Sequence, residues 1–289
     1  MKTTWFVMFF TLMALTECKP KLVEGDIVLD KKLEVIRSHH GATGRTKRSL
    51  LKTKPVHEHK WKHGFVPYVI SVDLGMQARK AIEKAIQQIE RYTCIQFSPW
   101  NKEHDFVEFI KDEGCFSSIG RQGGRQKISI GAGCEFTTTV VHELLHALGM
   151  FHEQTRLDRN LYVKVLWWNV EEVAKKNFDT YDHGIIDALN YHYDYKSAMH
   201  YSNKDFSKNG LDTLQSLEKP FQRLGSDRGM SKLDIKKIYK YYKCYRKKKR
   251  PQKEPCKDVM SWCSHYTQHC STRWFAEEYC QKSCKTCLT

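Results

Sequence analysis

The chain has 289 residues and a formal charge of +15, with 40% hydrophobic residues. That length suits one medium domain plus appendages. No interior stretch is apolar enough to span a bilayer, which excludes a transmembrane anchor.

At the N-terminus Lys2 precedes an apolar run over residues 5–15, followed by Thr16-Glu17-Cys18. This layout reads as a secretory signal peptide, residues 1–18, rather than as a buried strand. The expected location is secreted and extracellular, which argues against nucleic acid as the target of the positive charge. Residues 19–48 are polar and end in Arg45-Thr-Lys-Arg48 before Ser49. A multibasic run before a small residue, between a signal and a folded pattern, reads as a propeptide cut after Arg48 by a furin-type convertase.

Residues 65–72 are apolar and β-branched around Pro67, which predicts a strand. Over residues 76–92, Met76, Ala81, Ile82, Ala85, Ile86 and Ile89 recur at the spacing of a helix with one buried face. Residues 94–97, 106–110 and 127–131 read as further strands. Thr137, Thr138 and Thr139 can cap a helix that follows them. Val140, Val141, Leu144, Leu145, Ala147 and Leu148 nearly surround that helix, so it should be buried.

This helix carries the chemistry. His142 and His146 are four apart and share one face, so both imidazoles can hold one zinc ion. Glu143 can reach a water on that ion. Gly149 should end the helix, because glycine enters the left-handed region without steric cost, and the turn would return His152 as a third ligand. Three protein ligands leave one position open, the layout of a catalytic zinc. A pair of core histidines would not explain why Glu143 follows the first.

Further on, Met199 sits among small and aromatic residues, either as a gap-filler or as an apolar floor beneath the metal. Residues 231–244 read as a last helix with Ser231 as its cap. Arg246-Lys-Lys-Lys-Arg-Pro-Gln-Lys253 is a basic linker, residues 246–255, with an attraction to anionic matrix or glycan as its functional reading. The chain has 11 cysteines, and losing Cys18 with the signal would leave an even set, as disulfides in a secreted chain require.

These residues carry a resemblance. The block over residues 142–159, H-E-L-L-H-A-L-G-M-F-H-E-Q-T-R-L-D-R, resembles the astacin family of metzincin zinc endopeptidases, and Ser197-Ala-Met-His-Tyr201 resembles its Met-turn around Met199. Residues 114–126 resemble the family's disulfide loop. The likeness covers residues 61–244. It implies an α+β zincin-like domain over residues 49–245, with a twisted mixed sheet plus helices in its N-terminal subdomain. The C-terminal subdomain would be largely irregular with a last helix. It also implies one zinc ion per subunit on His142, His146 and His152, with Glu143 as general base. Tyr201 would be a movable further ligand that stabilises the oxyanion, and the substrates would be proteins or peptides. Glu153 would meet the new amino terminus, although Ser49 lies a few residues ahead of the family's mature start. Val23-Glu-Gly-Asp-Ile27 resembles the propeptide motif that makes Asp26 the latency residue. The implied disulfides are Cys94–Cys244 and Cys115–Cys134.

Residues 256–287 resemble the ShK toxin-like (ShKT) module, which implies the pairs Cys256–Cys287, Cys263–Cys280 and Cys270–Cys284. A module that small needs disulfides in place of a core. The competing reading is a toxin-like or matrix-binding ShKT protein whose protease domain is inactive or secondary. An intact Glu143 beside all three histidines argues against it.

Overall fold

The computed structural model describes residues 19–28, 59–180, 191–244, 267, 270 and 282–284. The signal stretch, Arg48 with Ser49, the basic run, and Cys256, Cys263, Cys280 and Cys287 lie outside the described residues. The chain divides into two compact units, Met1–Cys244 and Tyr245–Thr289. In the second unit a disulfide joins Cys270 to Cys284, with Cα atoms 5.3 Å apart.

The first unit opens with a hairpin of two short strands, β1 (Leu22–Val23) and β2 (Ile27–Val28). A five-stranded sheet follows: β3 (Phe65–Ile70), β4 (Gln96–Pro99), β5 (Phe106–Ile110), β6 (Cys115–Phe116) and β7 (Arg125–Ile130), in the order β4-β3-β5-β7-β6. Four strands are parallel, and β6 runs antiparallel to β7 at one edge. In β5 the alternation is plain, with Val107 and Phe109 turned into the core.

Helix α1 (Met76–Tyr92) has the bounds that its periodicity predicts, and it buries Ala78, Ala81, Ile82, Ala85, Ile86 and Ile89. Each fully buried isoleucine contributes roughly 1.5–3 kcal/mol. The strand expected over residues 94–97 begins two residues later. Thr93 ends α1, its hydroxyl accepts the Ile95 N–H at 3.1 Å, and Cys94 is held in a disulfide.

Helix α2 (Thr137–Ala147) packs against α1 under the sheet's core cluster, with Val140, Val141, Leu144 and Leu145 fully buried. The threonines do not cap it. The ladder begins at the Phe136 carbonyl, which accepts the Val140 N–H at 3.0 Å, so Phe136 is the cap residue and Thr137 is already helical. Its last carbonyls are met by distant side chains. The Trp61 indole donates to Ala147 O at 2.9 Å and the Tyr242 hydroxyl to Leu148 O at 3.0 Å.

Beyond α2 the chain is short turns around a small second core. The strands β8 (Val163–Val165) and β9 (Leu214–Ser216) pair antiparallel, with Val170, Phe178, Tyr193 and Tyr201 packed beside them. Helix α3 (Lys232–Tyr242) closes the unit. Ser231 caps it in a reciprocal box with Asp234, as the Ser-x-x-acid spacing favours. No helix among the described residues is long and apolar enough to cross a membrane.

Two disulfides brace this unit, Cys115–Cys134 and Cys94–Cys244. The second closes a loop with a sequence separation of 150 residues and ties the end of α1 to the end of α3. The paired substitution Cys94→Ser with Cys244→Ser is expected to destabilise the unit by up to about 5 kcal/mol, because the unfolded chain regains loop freedom. Denaturant unfolding of the double variant reads this directly, and an unchanged midpoint would show that α3 is held by packing alone.

Candidate metal centre and active site

Helix α2 stacks His142 and His146 on one face, with ring centroids 4.6 Å apart. The helix stops at Ala147, and Gly149 turns the chain at φ 104°. A side chain there would be strained in the backbone and would press on the Tyr241 ring, 3.2 Å from the added Cβ. The return brings the His152 ring to 4.7 Å from His146 and 5.1 Å from His142.

The fourth group arrives from far upstream. The β1–β2 hairpin pairs Val23 with Ile27, which leaves Glu24, Gly25 and Asp26 as its tip. Gly25 sits at φ 89°, and a Cβ there would lie 2.7 Å from Phe206 Cζ, so the tip accepts only glycine without movement. Ser117 next to Phe116 of β6 pins the hairpin, donating to Asp26 O at 2.9 Å and accepting from Val28 N at 2.8 Å. Asp26 Oδ2 then lies 3.1 Å from His142 Nε2 and 3.3 Å from His152 Nε2, and Oδ1 lies 3.6 Å from His146 Nε2. Among the described residues these four form a group whose ligand atoms all lie within 4.8 Å of one another.

Their chemistry fits a divalent cation. His146 Nε2 and Asp26 Oδ1 are buried and have no hydrogen-bond partner. His142 Nε2 and His152 Nε2 face each other at 3.1 Å. Lone pairs converging in this way need a positive centre between them. Three imidazoles and one carboxylate are a donor set that suits zinc.

The other ring nitrogens are each anchored. His142 Nδ1 faces Ala198 O, His146 Nδ1 faces Met150 O and His152 Nδ1 faces Glu24 Oε2, all at 2.7 Å. Such contacts fix ring orientation and aim Nε2 at the metal. Burial lowers the pKa of His146 to about 4, which keeps its ring neutral as a ligand requires. Burial also disfavours charge on His152, but the carboxylates of Asp26 and Glu24 more than offset it and raise its pKa to about 10. The same negative field favours a metal cation.

Glu143 is 1% exposed, and its Oε2 has no hydrogen-bond partner. Burial and then the nearby Asp26 charge push its carboxyl well above the usual range. Met199 is fully buried in the main core cluster. Tyr201 packs at a tilt beside His152, with centroids 4.8 Å apart, and its hydroxyl donates to the Glu24 carbonyl. The Glu153 carboxylate is paired with Lys237 and Arg156.

Sequence reading missed Glu24, Asp234 and Lys237. Glu24 stands next to the Gly25-Asp26 motif, yet a lone acid in a polar segment gives no signal of its own. Asp234 completes the Ser231 capping box and also accepts from Ser197 Oγ at 2.6 Å and Ala198 N at 2.8 Å. The box spacing was visible, but its second use on the Met-turn was not. Lys237 falls one turn further along the same face, in a helix rich in solvated lysines.

Known proteins agree with this geometry. The family model for the astacin peptidases matches residues 53–243. Zinc metalloproteinase nas-6 of Caenorhabditis elegans is 35% identical over 254 residues, covering 78% of this chain and 74% of that protein. Human meprin A subunit beta is 37% identical over 225 residues, covering 77% of this chain but 30% of that protein. Among solved structures, the hatching enzyme zinc-protease high choriolytic enzyme 1 of Oryzias latipes superposes with a TM-score of 0.60 at 38% identity, covering 64% of this chain and 93% of that one. With well over half of its length matched by one family model and its three histidines gathered on that fold, the chain belongs to the astacin family and is a zinc metalloendopeptidase.

Proposed function

We propose that the protein is secreted as a latent precursor and becomes an extracellular endopeptidase when the chain is cut between Arg48 and Ser49. The observation that carries this reading is the position of Asp26. It lies upstream of the multibasic site, and its carboxylate faces all three zinc-binding histidines. A substrate needs that same side of the metal, so cutting and releasing the segment would open it. Residues 1–18 are the signal, 19–48 the propeptide, 49–245 the peptidase domain, 246–255 a basic linker with affinity for anionic matrix or glycan, and 256–287 the ShKT module. Disulfides at Cys94–Cys244, Cys115–Cys134 and Cys270–Cys284 support an oxidising destination.

Bound zinc supplies a water of pKa about 7 and polarises a carbonyl oxygen. Glu143 takes the proton of the attacking water and hands it to the leaving amine, so one carboxylate serves as base and then as acid. Its burial beside the metal face, with one oxygen unpartnered, supports this role. The Tyr201 hydroxyl, released from the Glu24 carbonyl when the propeptide leaves, donates to the developing oxyanion. No serine or cysteine nucleophile is required.

The test incubates the processed protein with a proteome-derived peptide library. Internal cuts are expected, abolished by a zinc chelator and restored by added zinc. Cleavage indifferent to the chelator, or none by a processed protein holding stoichiometric zinc, would sink the proposal.

A further inference from the structure

Glu24 is an acid where the local chain does not call for one. It stands at the tip of the β1–β2 hairpin at φ 52°, a left-handed backbone conformation that favours glycine. It is 1% exposed, and its Oε1 is buried without a hydrogen-bond partner. Acidic side chains are almost never so buried unless they are paired. Its Oε2 has the contacts: it faces His152 Nδ1 at 2.7 Å and lies 3.3 Å from the Thr155 hydroxyl.

The three rings of the metal centre differ in what stands behind them. His142 Nδ1 meets Ala198 O and His146 Nδ1 meets Met150 O, both neutral carbonyls. His152 Nδ1 meets a carboxylate. A neutral ring that offers Nε2 to a metal carries its proton on Nδ1, so His152 donates to Glu24 Oε2. A carboxylate draws that proton more strongly than a carbonyl does and makes Nε2 the more basic ligand.

Charge points the same way. Glu24 and Asp26 pair with these histidines, and no lysine or arginine among the described residues is ion-paired with either. With the rings neutral, as ligands must be, a bound cation is the compensation for both acids of the hairpin. Asp26 faces that cation directly. Glu24 acts from the far side of the His152 ring.

We propose that Glu24 is a positioning residue for the metal, one that raises the zinc affinity of the uncut precursor through His152. The precursor is then the form that captures zinc, and release of the hairpin removes this support together with Asp26. The first statement concerns the uncut chain alone, and the second rests on the cut after Arg48 proposed above.

Zinc affinity is read by competition with a chelating dye in three samples. They are the full-length precursor kept uncut by Arg48→Ala, the same chain with Glu24→Gln, and wild-type protein cut after Arg48 and freed of the upstream segment. Glu24→Gln keeps the shape of the side chain and an acceptor oxygen but removes the charge. It is expected to weaken zinc binding by about tenfold, to a value between those of the uncut and cut proteins. A second measurement needs no cut protein: the Nδ1–H proton resonances of the zinc-loaded uncut chain. The His152 proton is expected well downfield of those of His142 and His146, and Glu24→Gln should move it toward them while those two stay in place. Unchanged affinity in Glu24→Gln would overturn the proposal. So would a fall to the level of the cut protein, which would mean that the hairpin had left the site, or a His152 resonance indifferent to the substitution. Neither measurement reads peptide cleavage. A cut, zinc-loaded protein that hydrolyses nothing would therefore sink the proteolytic reading, while the role of Glu24 is still decided by affinity and spectrum.

Discussion

Replacing Glu143 with alanine is expected to lower kcat/KM by about 10³- to 10⁴-fold while the protein keeps its full complement of zinc. Glu143 lies on the buried helix that carries the first two ligands, but it is not one of the residues gathered around the metal position. Its removal should therefore leave the three imidazoles, and hence metal affinity, intact. On the proposed mechanism, what is lost is the carboxylate that would accept a proton from the attacking water. Cutting away the segment that carries Asp26 would remove one of the two causes that raise the Glu143 carboxyl and leave the larger one, burial. Steady-state kinetics paired with metal analysis separates the two effects. An alanine variant that still cuts at near the wild-type rate would remove Glu143 from the mechanism.

Asp26→Ala should have the opposite effect in the uncut precursor. With the Arg48 site blocked by Arg48→Ala, so that processing cannot intervene, the Asp26→Ala precursor is expected to gain about 100-fold in activity over the precursor that keeps Asp26. That is a shift on the order of 3 kcal/mol in the balance between closed and open sites. The reason lies in how much one side chain blocks: its two oxygens face all three ligand nitrogens at 3.1 to 3.6 Å. The hairpin has other anchors. Ser117 holds it by two backbone hydrogen bonds, Glu24 reaches His152 Nδ1, and the Glu24 carbonyl occupies the Tyr201 hydroxyl. The gain should therefore fall short of the fully processed rate, and adding Glu24→Ala should raise it further. Equal activity in precursors with and without Asp26 would show that latency comes from elsewhere.

Local pattern carried some of this a long way. The period of residues 76–92 is enough to bound α1, because one apolar stripe at helical spacing has a single way to be buried. The metal ligands were legible for a similar reason: four-residue spacing on a helix and a glycine return are short-range geometry. Capping was harder. Thr137 to Thr139 offered three good candidates, yet the helix starts a residue early, with Phe136 at the cap position. Ser231 succeeded because its partner Asp234 lies within the same turn.

The amino-acid order alone determined the helix that holds two imidazoles, the glycine turn that returns the third, and the acid beside them, since all lie within eleven consecutive residues. Tertiary structure decided what surrounds them. Asp26 reaches His142 across 116 positions, Lys237 reaches Glu153 across 84, and the Trp61 indole reaches the end of α2 across 86. No periodicity links residues so far apart. Their pairing follows from burial, which leaves a charged or polar group no water and so makes it take whichever partner the packed chain brings within reach.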